Sequence, residues 1–178
     1  MTALVIGVDP GGTTGVFWFQ LPPADVAEEY RRAGVYPASG AVQMHGADGV
    51  LPYVERRIAQ RTPGERVVLA VEDFVVGGRA GRSRTGQGGK TARNLIGSLS
   101  ELYSDTVSVV LRPAGAVKPW ATDHRLGDAG LLTLTQSLPH ARDAARHALY
   151  AAVKAGLMPD PLSPAAIAFD QPIVLFET

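Results

Sequence analysis

Residues 3–20 read ALVIGVDPGGTTGVFWFQ, an apolar run ending in one acid, a glycine-threonine turn, and a second apolar run. The pattern predicts two strands, about 3–9 and 15–20, joined by a tight turn. Small and apolar residues lead up to Asp9, so the first strand is expected to be buried, with the carboxylate emerging where it stops. A buried carboxylate without a partner is costly, and an Asp in this setting usually has one, often a cation. Gly11, Gly12 and Gly15, with Thr13 and Thr14, would let backbone pass close to a bound phosphate or metal.

The 178 residues suit one domain with a full-sized core, and 46% hydrophobic residues is ordinary for a globular chain. No apolar run reaches membrane-spanning length, and the N-terminus lacks a basic region followed by a cleavable apolar segment. The expectation is a cytoplasmic protein with no membrane partner. With no cysteine, any metal must be held by oxygen or imidazole ligands. Charge is balanced at 17 basic and 17 acidic residues, yet residues 77–93 (GGRAGRSRTGQGGKTAR) hold Arg79, Arg82, Arg84, Lys90 and Arg93 without an acid. Overall neutrality hides a local positive segment, either a solvated loop or a phosphate-gripping one.

Further strands are predicted at about 39–45, 66–76 (RVVLAVEDFVV) and 106–112, and helices at about 47–61, 90–103 and 139–155. Residues 114–132 read as short helical turns, and residues 173–176 as an optional edge strand. The domain is placed at 1–158 and a C-terminal tail at 159–178, with a polar insert at 21–38. The order β-β-β-α-β-α-β-α gives an α/β fold: a mixed five-stranded sheet, first an antiparallel meander, then parallel strands with crossover helices. Sites in open α/β sheets lie beyond the carboxyl ends of the strands, where Asp9 and Glu72 are expected side by side.

Three acids stand out: Asp9, Glu72 in LAVEDF, and Asp143 in the last helix. His140, three residues before Asp143, faces the same way on a helix. Mg2+ prefers carboxylate oxygens. Two such ions about 4 Å apart can activate water on one side of a phosphodiester and stabilise the leaving oxygen on the other. On that reading Asp9 bridges two ions, Glu72 completes one site, and Asp143 with His140 completes the other. His147, one further turn along, either contacts DNA or packs against the sheet, and Asp73 points to the opposite strand face from Glu72.

Two fold families open with such a strand and glycine turn, the polynucleotidyl transferases of RNase H type and the sugar kinases with actin-like ATPases. The rest of the chain resembles the RuvC family of Holliday-junction resolvases, especially RuvC-like resolvases of bacteriophages. The matching segments are VIGVDPGGTTG, AVEDF and HARDAARHAL, with weaker support from GKTARNLIGSL and RPAGAVKPW. The resemblance implies an RNase H-like (RuvC-type) fold, a homodimer, and Mg2+- or Mn2+-dependent cutting of branched DNA: four-way junctions, with flaps and forks as further substrates. It matches Asp9, Glu72 and Asp143 to family catalytic acids and sets His140 where members carry an aspartate or a histidine. Phe74 is the nearest candidate for the family's junction-opening aromatic. Arg79, Arg82, Arg84, Lys90, Arg93 and Lys118 would grip phosphates. The alternatives are one lobe of a sugar-kinase or actin-like ATPase, an RNA-processing nuclease of the RuvX-like branch, and a junction-binding protein without turnover. The ATPase reading needs a second lobe and a second nucleotide loop, and the sequence has neither motif.

Overall fold

A computed structural model describes residues 2–22, 36, 38–73 and 87–163. Phe74, Arg79, Arg82 and Arg84 lie outside the described residues, as do most of the polar insert and the segment read as an edge strand.

Five strands form one mixed sheet: β1 (Ala3–Asp9), β2 (Thr13–Leu21), β3 (Ser39–His45), β4 (Arg66–Asp73) and β5 (Val107–Pro113), in the order β3-β2-β1-β4-β5. β1 pairs antiparallel with β2 and parallel with β4; β2 pairs antiparallel with β3, and β4 parallel with β5. The meander followed by parallel strands is the arrangement expected from the element order. β1 lies at the centre and is buried along its whole length, which explains its unbroken run of small and apolar residues.

Each face of the sheet carries its own core, because strand side chains alternate. Leu4, Ile6, Val8, Val16, Trp18, Leu69 and Val71 pack against α1 (Val50–Ala59) and α2 (Gln87–Ser100) through Val50, Val54, Leu95 and Leu99. On the other face Ala3, Val5, Phe17, Phe19, Val68 and Ala70 meet the long helix α5 (Pro139–Lys154). Two short helices, α3 (Ala114–Val117) and α4 (Asp123–Asp128), lead from β5 towards α5. Burying a side chain such as Phe17 or Phe19 contributes about 1.5–3 kcal/mol each.

Several boundaries differ from the sequence expectation. β2 begins at Thr13, inside the expected turn, because Thr13 to Phe19 all find partners on β3. Helix α2 begins at Gln87 and takes in Gly88 and Gly89, against their weak helix propensity. Among the described residues β4 extends to Asp73.

Helix α5 owes its closeness to the sheet to small residues on both sides. Its buried face is alanine-rich (Ala141, Ala144, Ala145, Ala148, Ala151, Ala152), and the strands beneath present glycine. A Cβ on Gly7 would stand 1.9 Å from the Ala144 carbonyl oxygen, and one on Gly15 would stand 2.1 Å from the His140 carbonyl carbon and oxygen. The helix stops at Gly156, whose φ of 68° favours glycine. There the Leu157 N–H donates to the Ala152 carbonyl at 2.9 Å, satisfying one of the helix's last acceptors.

Candidate active site

The parallel register of β1 and β4 runs through Val8 opposite Val71, so the next residues, Asp9 and Glu72, leave adjacent strand ends together. By alternation both share the sheet face that carries Val5, Val68 and Ala70, under α5. Helix α5 supplies His140, Asp143 and His147 above them, and Lys118 follows α3. Thus the four residues expected to gather, Asp9, Glu72, His140 and Asp143, all belong to one neighbourhood, built from three separate elements.

The row at the N-terminus of α5 explains where His140 sits. Asp9 pairs with Gly15, and Gly15 pairs with Gln43, forming one transverse line across β1, β2 and β3. The backbone of His140 occupies the space a Gly15 side chain would fill. On one side its Nδ1 lies 3.0 Å from Asp9 Oδ2. On the other, its backbone N–H donates to Gln43 Oε1 at 2.7 Å, satisfying one of the orphan donors of the helix start. Gly15 therefore serves helix packing and needs no ligand. The open glycine of the turn is Gly12, where a Cβ would meet nothing within 4 Å. The turn itself is held by reciprocal contacts of 3.3 Å between Thr14 Oγ1 and the Gly11 N–H and carbonyl.

The acids are held in pairs and bridges. Glu72 Oε2 lies 3.1 Å from His147 Nε2 and 3.4 Å from Lys118 Nζ. Lys118 Nζ also donates to Asp143 Oδ2 at 2.8 Å, and Arg146 Nε donates to Asp143 Oδ1 at 3.3 Å. Arg146 continues to Asp123, which tethers α5 to α4. His147, with a side chain only 1% exposed, is buried against the sheet, and from there its Nε2 also positions Glu72. The sequence placed His147 on the right helix face but carried no sign that Glu72 lay beneath it. Nothing in the sequence around Gln43 marks it as a partner of His140.

Burial pushes the Asp9 carboxyl up to about 6, and the nearby negative charge of Glu72 adds to the effect. The His140 hydrogen bond and Lys118 oppose the shift without cancelling it. Burial also acts upward on Glu72, but its bond to His147 and the charge of Lys118 outweigh that, so its carboxyl is held below the ordinary value. Burial alone would lower Lys118. Its bond to Asp143, and the charges of Glu72, Asp143 and Asp9, raise it instead and keep the ammonium charged.

Among the described residues, no three His, Asp and Glu side chains are grouped so as to hold a metal ion as they stand. By chemistry alone the donor set, carboxylate oxygens and an imidazole, is of the kind a hard divalent cation takes, and the Lys118 ammonium lies between two of the acids.

Lys90 and Arg93 are exposed near the start of α2, on the other side of the sheet from α5. The β4–α2–β5 crossover returns between parallel strands, so the start of α2 lies at the same sheet end as Asp9 and Glu72. Among the described residues no helix is long and apolar enough to cross a membrane. Comparison of the chain with protein-family models and with curated proteins finds no match.

Proposed function

We propose that this chain is a divalent-metal-dependent endonuclease of RuvC type, with an RNase H-like fold, that hydrolyses phosphodiesters in branched DNA such as four-way junctions. One observation carries the reading: acids distant in sequence, Asp9, Glu72 and Asp143, gather with His140 at the carboxyl end of a parallel strand pair. The meander-then-parallel sheet supports it, as do the exposed Lys90 and Arg93 near the start of α2 at the same sheet end.

Asp9, Glu72 and His140, with Asp143 closing the cluster beside them, would hold Mg2+ or Mn2+, which when bound supplies Lewis-acid charge to a phosphate and a more acidic water. The chain's own contribution is positional. His147 fixes the Glu72 carboxylate, and the Gly15–Gln43 seat fixes His140. With Nδ1 turned to Asp9, the half-exposed His140 ring leaves its second nitrogen as the one that would meet the ion. Lys90 and Arg93 would hold phosphates without reading sequence, so preference for a branch must come from geometry. Cutting both strands of a junction needs two such sites, hence a homodimer.

The deciding experiment incubates a synthetic four-way junction with wild type and Asp9→Asn in Mg2+, in Mn2+ and in chelator. Metal-dependent cutting by wild type, lost in Asp9→Asn while junction binding persists, supports the proposal. Binding without cutting under every condition replaces it with the turnover-free junction binder. Cutting by Asp9→Asn at the wild-type rate removes Asp9 from the chemistry.

A further inference from the structure

The acid cluster carries a cation of its own, and its placement is built into the fold. Lys118 follows directly on α3, whose Val117 is fully buried, and is followed by Pro119 and the fully buried Ala121. Backbone bonds of 2.9 Å from the Lys118 N–H to the Ala114 carbonyl and 2.8 Å from the Ala121 N–H to the Val117 carbonyl close the turns on either side. The lysine stem therefore leaves an anchored point, and its ammonium reaches both Glu72 on β4 and Asp143 on α5.

Asp143 is engaged on both oxygens, Oδ2 by Lys118 and Oδ1 by Arg146. Arg146 is itself tied to Asp123 and to the Ala121 carbonyl. An ion seated between Glu72 and Asp143 would have to expel Lys118 from two carboxylates at once. On the Asp9 side the immediate partner is the imidazole of His140 in place of a fixed cation.

Resting on the reading of this cluster as a divalent-cation site, we propose that Lys118 is a tethered cation standing in for one of two metal ions, so that each chain takes up one added ion. The added ion belongs to the Asp9–His140 side, with Glu72 shared between it and the ammonium. Lys118 is then a positioning residue for the acids, holding Glu72 and Asp143 together before any metal arrives.

The test is Mn2+ titration by calorimetry, without DNA, on wild type, Lys118→Met and Lys118→Arg. Wild type is expected to bind one Mn2+ per chain and Lys118→Arg one. Lys118→Met should bind two, the second at least tenfold tighter than any second uptake by wild type. In chelator, Lys118→Met should also melt lower than wild type, and Mn2+ should restore more of its melting temperature than it adds to wild type. Two comparable ions on wild type, or a single ion on a folded Lys118→Met, overturns the tethered-cation role but leaves the metal site standing. No Mn2+ uptake by wild type or by Lys118→Met overturns both. Should Lys118→Met fail to fold, Lys118→Gln is read in the same way, and the wild-type stoichiometry decides by itself.

Discussion

His140 rests on Gly15: a Cβ at that glycine would stand 2.1 Å from the His140 carbonyl carbon, inside any real contact distance. The same row of the sheet places Asp9 on one side of the histidine and Gln43 on the other. One absent side chain thus sets the height of α5 over the acid at the end of β1.

Gly15→Ala should push α5 off the sheet, because the obstructing atoms are backbone and cannot rotate away. We expect a loss of about 3 kcal/mol, the upper part of the usual overpacking range. Gly12→Ala, in the same turn but with open space around it, should change stability by less than about 0.5 kcal/mol. Urea denaturation of the two variants measures the contrast; equal losses would mean that turn flexibility matters and helix contact does not.

Asp9 gives the fold a pH signature of unusual sign. Its carboxyl is raised from 3.8 to about 6, so between those values the folded chain binds the proton more tightly than the unfolded one. Stability from this group therefore falls as pH rises from about 4 to 6, then levels off. A two-unit shift corresponds to about 3 kcal/mol. In chelator, Asp9→Asn should match wild type near pH 4 and exceed it by up to that amount at pH 7. A difference that does not vary with pH would remove the strain assigned to the buried charge.

His147→Leu fills the same buried space but withdraws the hydrogen bond to Glu72. A loss of about 1–3 kcal/mol is expected, the range for leaving a buried polar partner unsatisfied. Glu72 is held below its ordinary value, so its share of stability is present above about pH 4.5 and is lost as pH falls through the folded value. That acid-side loss should shrink in His147→Leu and persist in His147→Gln. Comparing melting temperatures at pH 3.5 and 6 separates the two outcomes.

The meander-then-parallel sheet and the meeting of Asp9 with Glu72 were legible because each acid ends an apolar run, and adjacent parallel strands bring such ends together. His140 and Asp143 were legible because three residues make about one helical turn. Other relationships depend on what lies across the fold. Gln43 meets His140 from 97 residues away, and nothing in AVQMH marks it as a helix cap. Lys118 could be seen as a charge in AVKPW, but its direction, towards acids of the protein itself, follows from how α3 packs. Gly15 looked like part of a ligand loop because glycine beside an acid suits both purposes, and only the helix above it decides.

Lys90 and Arg93 offer a test of where DNA lies. Both are exposed near the start of α2, at the sheet end that carries the acids, whereas the exposed Arg66 begins β4 at the opposite end. Removing one phosphate-gripping charge should lower the slope of log affinity against log salt by about 1. Lys90→Ala and Arg93→Ala should therefore each flatten the slope for four-way-junction binding, and Arg66→Ala should leave it unchanged. Fluorescence anisotropy from 50 to 300 mM salt, ~6-fold in concentration, resolves a change of that size. If Arg66→Ala flattened the slope as much as the other two, the charge would act at a distance from any DNA path, and the carboxyl end of the sheet would lose its claim to the interface.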